Sequence, residues 1–419
     1  MSDEKYIFSA GAKRNILITL VVGLVLAAIG VVMMNMGGHH DAHGAEAAAD
    51  AGHHGFRWTQ RLYANLWINN LFFTGLSAIG IFFIAIQYVA QAGWSVGFKR
   101  IAMAMASWLP IGAVLMIVVF LIANHDLFHW THEYLYDKAD ARFDEILYNK
   151  KGYLNFGFYM ARMVGFFAVW YLLFTQIRKQ MLAEDIDGGV SHWKKNVTLS
   201  AIFLVFFGYS SSIAAWDWVM SIDPHWFSTM FGWYVFASWW VSGLALIAFI
   251  AVLLKDKGYL SIVNANHLHD IGKFIWGFSI FWTYIWFSQF LLIYYANIPE
   301  ETIYFVERWR SDKYVTYFFL NLILNFFLPF LLLLPREAKR HTRFLKVVPP
   351  IILFGHWIDF YLMVTPGTLK ENGGFGLLEV GLIMVYASAF VYTVLHSLAK
   401  HPLVAKNHPM MEESLHHHI

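Results

Sequence analysis

The chain has 419 residues, of which 58% are hydrophobic and 14% charged, and its formal net charge is +2. This composition excludes an ordinary soluble domain and is typical of a polytopic membrane protein, and the near-neutral charge gives no reason to expect nucleic acid as a partner. Since the sequence has no cysteine, Cys-ligated iron–sulfur clusters, thioether-attached c-type haem and disulfides are excluded.

Ten apolar runs follow one another along the chain, and each reaches the roughly 17–25 residues or more needed to cross a bilayer. No convincing small-residue cleavage site follows the first run, so we expect it to be a span and not a cleaved signal peptide. The sequence therefore predicts an all-α fold with ten transmembrane helices. The runs lie near 16–36, 64–90, 101–123, 155–178, 197–222, 228–254, 272–296, 314–335, 344–365 and 376–398.

Lysine and arginine in alternate connections predict the orientation. One side holds 19 of them and the other holds 10, and basic residues concentrate in cytoplasmic connections. Both termini are therefore expected in the cytoplasm.

The segment 39–55 is rich in His, Ala, Gly and acids and has no apolar period. This favours a flexible outer loop, with metal binding by its five histidines as the alternative. The C-terminal His416, His417 and His418 leave the same alternatives open.

A polar stretch, Ala214–Thr229, separates the fifth and sixth runs. Asp217, Asp223 and His225 lie within nine residues of one another, and Pro224 pushes the residue before it out of the helical region. The stretch predicts a hairpin between two spans that carries ionisable groups at the edge of the hydrocarbon.

Two further features of this hairpin are its tryptophans and its hydroxyls. Trp216, Trp218 and Trp226 are of the residue type favoured at a membrane–water boundary. Ser228 and Thr229 are candidate caps for the departing helix.

Ionisable groups within the runs are costly in lipid, so each is a functional candidate. His356 and Asp359 are three residues apart and share a helix face, where the carboxylate can hold the imidazole tautomer and pass a proton. The alternative is a structural pair that joins two spans.

Arg162 and Asp217 can likewise pair across the fourth and fifth spans and simply neutralise each other. Glu379 is a further candidate near the outer end of the tenth run.

A second group of polar residues lies near the outer end of the third run. His125, His129 and His132 repeat at helical spacing and would share one face if the helix continues, the alternative being a solvated loop entrance. Asn69 and Asn70 of the second run are in the same outer third. A zinc site is not favoured, because no His-Glu-x-x-His order is present. The inner half of the spans is expected to be sparser in polar groups.

A b-type haem needs two axial ligands at matched depth on facing helices. His356 is the only histidine near the middle of a run, and His396 lies near the inner end of the tenth, so the two cannot share one haem. His125 and His225 both lie at the outer edge, which leaves a surface haem as the alternative. The chain can supply a base for a quinol hydroxyl but no electron acceptor. We therefore expect no resident cofactor or metal, with a quinone such as menaquinone as the candidate ligand, and redox work that depends on another subunit.

The hairpin Trp216–Thr229, the ten spans and the tail Met410–His416 together resemble the NrfD/PsrC-like membrane subunits. The closest likeness is to the second, ActF-type membrane subunit of bacterial alternative complex III, a quinol:electron-acceptor oxidoreductase, and it covers essentially the whole length. The resemblance implies two four-helix bundles with two spans outside them. The corresponding division is 1–63 (terminus, first span and His-rich loop), 64–222 (first bundle), 223–227 (hairpin), 228–365 (second bundle) and 366–419 (last span and tail).

The resemblance also implies the setting of the protein. The family binds quinol near the outer face of the bacterial cytoplasmic membrane and has no redox centre in the membrane subunit. The expected partners are multihaem and monohaem cytochrome c subunits, an iron–sulfur subunit and a paralogous (ActC-type) NrfD-like subunit, with a terminal oxidase and lipids as further candidates.

The sequence departs from the quinol-oxidising members at one point. Those members pair an outer histidine of the third span with an acid on the fourth, whereas here His125 is present and the fourth span carries Arg162. We therefore expect a non-catalytic subunit with a scaffold and proton-pathway role. Direct quinol binding is the alternative, and a stand-alone proton-coupled transporter is the alternative from another class. The proton-pathway candidates are Asp217, His356, Asp359, Glu379 and Arg162, and the quinone-pocket candidates are His125, His129, Asn69, Asn70, Asp223 and His225.

Overall fold

The computed structural model describes residues 4–37 and 57–418. Within these ranges the regular elements are helical, and the one β pairing is a single bridge between Lys5 and Pro402. Ten of the helices are long and apolar enough to cross a membrane, which confirms the predicted all-α polytopic membrane fold. They are α1 (Ala10–Gly37), α2 (Trp58–Val89), α3 (Lys99–Leu127), α4 (Phe156–Asp187), α5 (Ser191–Trp218), α6 (Phe231–Asp256), α7 (Ala265–Ala296), α8 (Val315–Leu332), α9 (Thr342–Leu369) and α10 (Leu377–Leu398).

Several helices extend beyond the apolar runs that predicted them. Asn155 caps α4 by accepting a hydrogen bond from the Phe158 N–H at 2.9 Å, and α4 continues to Asp187. Asn264 begins α7 with a capping box closed by His267. Hydropathy marks only the part of a helix that lies in hydrocarbon, whereas backbone hydrogen bonding continues through polar turns beyond it. The His-rich segment 39–55 lies outside the described residues.

The helices pack as two rings. Helices α2 to α5 form one bundle and α6 to α9 form a second, and α2, α5, α6 and α9 join the two. Helix α1 packs along α10, outside both bundles. This contact is close because a Cβ added at Gly381 would meet the Ala27 backbone nitrogen and the Gly23 carbonyl oxygen, and small residues let membrane helices approach in this way.

The two ends of the bundles differ in what covers them. One end, here called the hairpin face, carries the connection 219–230 and the surface helix Pro299–Trp309. The opposite end, the terminal face, carries both chain ends, since the Leu403 N–H donates to the Glu4 carbonyl at 2.9 Å. Polar groups at the two faces are therefore covered by different segments of the chain.

The last 18 described residues, 401–418, form a tail across the terminal face. On the first bundle, the Lys406 N–H donates to Asp185 Oδ1 at 3.1 Å. On the second, His417 Nε2 lies 2.6 Å from Asp270 Oδ2. Between them, the Gly93 N–H donates to Glu413 Oε1 at 3.0 Å. The tail thus fastens the two bundles to each other.

Candidate functional site

A fully buried carboxylate, Asp359 on α9, lies within the second bundle. Its Oδ1 accepts from the Tyr234 hydroxyl and from Asn321 Nδ2, the latter at 2.8 Å. Its Oδ2 accepts from Ser238 Oγ at 2.6 Å and from Trp282 Nε1 at 3.1 Å. The donors come from α6, α7 and α8, so all four helices of this bundle meet at one carboxylate, which we call the Asp359 network.

His356 lies one turn earlier on α9 and is also fully buried. Its Nδ1 is 3.8 Å from Asp359 Oδ2, which is too long for a hydrogen bond. Neither ring nitrogen has a hydrogen-bond partner in the protein, and neither does Asn325 Oδ1. The predicted pair therefore shares a face and lies close together without bonding directly, and the imidazole keeps both nitrogens available.

Asn325 belongs to an irregular segment of α8. Residues Ile323–Phe327 form a π-helical turn, and Asn325 Nδ2 donates to Asn321 Oδ1 at 2.5 Å. A π turn inserts one residue into the helix and re-aims its side chains, and such turns are frequent at functional sites. Here the turn connects Asn325 to the donor that holds Asp359.

Polar groups continue from the Asp359 network toward the hairpin face. A cavity of about 20 Å³ is lined by Tyr234, Asn321, Tyr304 and Arg308, among others, and this volume is enough for one water molecule. Arg308 is buried, donates to three backbone carbonyls, and lies 3.3 Å from Asp223 Oδ2. Asp223 in turn faces the hairpin surface.

A larger cavity, here called the vestibule, opens at the hairpin face with a volume of about 420 Å³. Pockets that hold small molecules are typically about 300–1,000 Å³. Four of the six predicted quinone-pocket residues line it. Those four are His125, His129, Asp223 and His225, and Glu307 and Lys370 join them.

Asn69 and Asn70 do not line the vestibule. Asn69 lies in the core of α2, where its Oδ1 accepts from Trp357 Nε1 at 3.1 Å and its Nδ2 donates to the Asn65 carbonyl at 2.8 Å. Asn70 is buried with both side-chain polar atoms unpartnered. Their position along α2 follows from the sequence, but the helix rotation that decides which space they face depends on packing.

The third transmembrane helix does not continue through the histidines, so the condition for a shared histidine face is not met and the segment is the alternative, a loop entrance. Helix α3 ends at Leu127, and residues His129–Thr131 form a separate 3-10 turn. The turn nevertheless brings the rings together, with the centroids of His125 and His132 5.2 Å apart. Within the described ranges, no group of three or more His or acidic side chains is arranged to hold a metal ion.

Electrostatics in the vestibule favour a neutral imidazole at His129. Burial, together with the nearby His132, His225 and Lys370, lowers the pKa of His129 below its usual value. His129 can therefore accept a proton at neutral pH. Burial and the neighbouring Asp223 raise the pKa of Glu307.

Asp144 contacts one of the vestibule residues, with its Oδ2 2.5 Å from His225 Nε2. Burial alone would raise the pKa of Asp144, but hydrogen bonds from the Leu147 N–H and from His225 outweigh it, so the pKa is lowered. The carboxylate therefore stays ionised beside His225.

The hairpin itself differs from expectation in two respects. Ser228 and Thr229 do not cap the next helix, because α6 begins at Phe231 after Met230, and Ser228 Oγ instead donates to Gln289 Oε1 at 2.9 Å. The tryptophans are also less exposed than a boundary position predicts, since Trp218 and Trp226 are buried.

Two of the predicted proton-pathway acids lie in closed ion pairs. Asp217 is held by Arg162 at 2.6 and 3.1 Å through two nitrogens of one guanidinium. Glu379 is held in the same bidentate way by Arg61 at 2.7 and 2.8 Å, and it also accepts from Asn65 at 2.9 Å. The Arg162–Asp217 pair joins α4 to α5, and the Arg61–Glu379 pair joins α2 to α10.

The terminal face holds a buried charged cluster that the apolar runs did not predict. Lys99, Glu184 and His408 are each at most 4% exposed. Lys99 and Glu184 belong to helical turns beyond the predicted runs, and His408 comes from the tail. The basic pair Lys99-Arg100 directly before an apolar run was the only local signal, and nothing in the sequence indicated its partners.

These features define the class of protein as a polytopic, all-α membrane protein with ionisable networks buried inside its bundles. No family model matches the chain, and no curated protein matches it.

Proposed function

We propose that the chain is an integral membrane subunit of a bacterial quinol:electron-acceptor oxidoreductase, has no redox centre of its own, and contributes a scaffold and a proton pathway. The resemblance to the ActF-type subunits of alternative complex III supports the assembly. In this proposal the charge bias puts the terminal face in the cytoplasm and the hairpin face outside the cytoplasmic membrane. Cytochrome c subunits, an iron–sulfur subunit and a paralogous membrane subunit supply the electron transfer.

The Asp359 network carries the proton-pathway part of the proposal. A buried ionisable group inside membrane helices is costly and marks a functional site by default. Asp359 is separated from the vestibule side by the water-sized cavity beside Arg308. His356, with both nitrogens unpartnered, is the next proton acceptor inward.

The donors around Asp359 allow it to change protonation state. Trp282 and the amide nitrogen of Asn321 can only donate, whereas the hydroxyls of Tyr234 and Ser238 can rotate and accept. When Asp359 takes a proton, one hydroxyl turns from donor to acceptor, and the carboxyl keeps its partners. The site can therefore load and release a proton without rearranging the helices.

The experiment is Asp359→Asn in the intact complex, reconstituted in liposomes, with quinol oxidation and proton release measured together. Asparagine keeps the shape and cannot take up the proton, so we expect the proton-to-electron ratio to fall while electron flow is retained. Asp256→Asn is the matched control, because that carboxylate is partly exposed at the terminal face and paired with Lys346. An equal loss of both activities in Asp359→Asn contradicts the proposal.

Direct quinol binding is the second candidate function, and the vestibule favours it. His125, His129, Asp223 and His225 come together around one cavity, and a neutral imidazole there can accept a quinol proton. Replacing His125 or His129 with alanine tests this function by quinol turnover in the intact complex, and unchanged turnover in both removes it. A purified chain that transports protons without partners favours instead a stand-alone transporter.

A further inference from the structure

The cluster under the tail joins a base, an acid and an imidazole from three distant segments. Lys99 Nζ lies 2.7 Å from His408 Nε2. The same imidazole nitrogen is 3.9 Å from Glu184 Oε1. Glu184 Oε2 is buried and has no hydrogen-bond partner. His408 therefore hydrogen-bonds the amine and lies beside the carboxyl group, which keeps one oxygen without a partner.

The two contacts of His408 place opposite requirements on the position of its ring proton. Burial and the cations Lys99 and Arg100 lower the pKa of His408 to about 2, so the ring is neutral and has one donor and one acceptor nitrogen. The Met410 N–H points at Nδ1 from 3.2 Å, which requires the ring proton on Nε2. An ammonium at Lys99 requires Nε2 as acceptor, with the proton on Nδ1.

Both demands cannot be met at once, so the arrangements differ in where one proton resides. In the first, Lys99 is an ammonium, and its Nζ lies 3.8 Å from the centre of the Tyr88 ring, a cation–π contact that stabilises the charge. In the second, Lys99 is a neutral amine that accepts from His408 Nε2–H, and Glu184 carries the proton. Between the first and the second arrangement, Lys99 passes a proton to His408 Nε2, His408 releases its Nδ1 proton to water when the tail opens, and Glu184 takes one proton from the same water, so the number of protons is unchanged.

The other charged groups near the cluster have their own partners. Arg100 pairs with Asp185, Glu413 of the tail accepts from the Gly93 N–H, and Arg178 lies 3.2 Å from His401 Nε2. These pairs come from α3, α4 and the tail and lie around the cluster. Because these groups have their own partners, the proton is exchanged among Lys99, His408 and Glu184 alone.

Polar groups also extend from the cluster into the membrane. Asn196 lies beside Tyr88, and Ser200 follows one turn later on α5. Both residues are fully buried, and the Ser200 hydroxyl has no hydrogen-bond partner. Buried polar atoms of this kind are commonly satisfied by water, so the cluster has a polar side toward the bilayer and the tail on its other side.

We propose that Lys99, Glu184 and His408 form a proton-exchange site at the terminal face, and that the tail 401–418 closes it. The ligand is a proton delivered from the aqueous phase when the tail opens. This inference rests on the proposed function in one respect: the proposed orientation places the terminal face in the cytoplasm, so the proton comes from the cytoplasmic side. The site lies in the first bundle and is separate from the Asp359 network of the second.

The test uses the full-length chain in lipid nanodiscs and infrared difference spectroscopy between about pH 5 and about pH 9, the range over which a perturbed carboxyl or amine titrates. We expect a buried-carboxyl C=O band that changes with pH and is absent in Glu184→Gln. We also expect its hydrogen–deuterium exchange to be at least about tenfold faster in His408→Ala, because the tail no longer closes the site. Glu412→Gln is the matched control, since that tail carboxylate is 82% exposed.

Two results overturn the inference. A spectrum with no Glu184-dependent change over that range means that the cluster is a fixed ion group, and unchanged exchange in His408→Ala means that the tail is not its closure. His408→Gln keeps an acceptor toward Lys99 and replaces the alanine variant if alanine unfolds the tail. The infrared measurement needs no electron donor and does not involve Asp359. A negative result there therefore leaves the proposed function untouched, and a negative result for Asp359→Asn leaves the proton-exchange site untouched.

Discussion

Arg162 holds Asp217 through two nitrogens of one guanidinium, at 2.6 and 3.1 Å, and both side chains are buried between α4 and α5. A bidentate pair of this kind fixes the relative position of two helices. At the same time it leaves neither charge free, since each is neutralised by the other. The pair therefore favours cohesion of the first bundle over proton transfer.

Removing one member of this pair is expected to be costly. Asp217→Ala leaves the buried guanidinium unpaired, and such changes destabilise by roughly 3–5 kcal/mol. Thermal unfolding of the purified chain measures the effect. Asp126→Ala is the matched control, because its partner Arg57 is 63% exposed and exposed pairs contribute at most about 1 kcal/mol. Equal losses in the two variants contradict the structural assignment.

The contact between α1 and α10 depends on Gly381. A leucine there meets the backbone of Gly23 and Ala27, so we expect a loss of about 1–3 kcal/mol from overpacking and release of α1 from the bundle. Cysteine cross-linking between α1 and α10 reports the release directly. At Gly208 on α5 a Cβ meets no atom within 4 Å, so Gly208→Ala should be neutral or slightly stabilising.

His417 fastens the end of the tail to the second bundle. His417→Ala removes the 2.6 Å contact with Asp270 Oδ2, and the loss of one such bond, about 1–1.5 kcal/mol, corresponds to a roughly tenfold rise in tail opening. Limited proteolysis of the tail should accelerate accordingly. His416→Ala should leave the rate unchanged, because that side chain is 77% exposed, and equal acceleration in both variants contradicts the anchoring role.

The vestibule is expected to loosen in mild acid. The pKa of His129 is lower in the folded state than in the unfolded chain, where it is about 6.5, so the unfolded state binds more protons below that pH. The stability contribution is complete above pH ~6.5 and falls as the pH drops from there toward the folded-state pKa. Asp144 does not add to this effect, since its lowered pKa matters only below its unfolded value of about 3.9.

Hydrogen exchange of the segment 128–150, compared at about pH 7.5 and about pH 5.5, measures this loosening. The local opening free energy should decrease at the lower pH in the wild-type chain. His129→Gln cannot be protonated, so the pH effect of this site should shrink in that variant. An identical pH dependence in both proteins rules out His129 as the cause.

The buried networks show which contacts a local sequence pattern can predict and which it cannot. The pairing of His356 with Asp359 on one face follows from their spacing, and the Arg162–Asp217 contact follows from two opposite charges in neighbouring spans. The donors to Asp359 are different, because Tyr234 precedes it by 125 residues and no local pattern relates them. Arg61 was missed for the same reason, since its partner Glu379 is 318 residues away.

The sequence alone determined that ten helices cross a membrane, because a segment in hydrocarbon must be apolar and must satisfy its own backbone hydrogen bonds, and both requirements are local. It also identified some of the ionisable side chains that are costly to bury, such as Asp217 and Asp359. Only the tertiary structure decided which buried polar groups meet, since contacts among Asp359, Tyr234 and Asn321, or among Lys99, Glu184 and His408, depend on how each helix is rotated against its neighbours. That rotation is set by side-chain packing over the whole bundle, and no single run of residues encodes it.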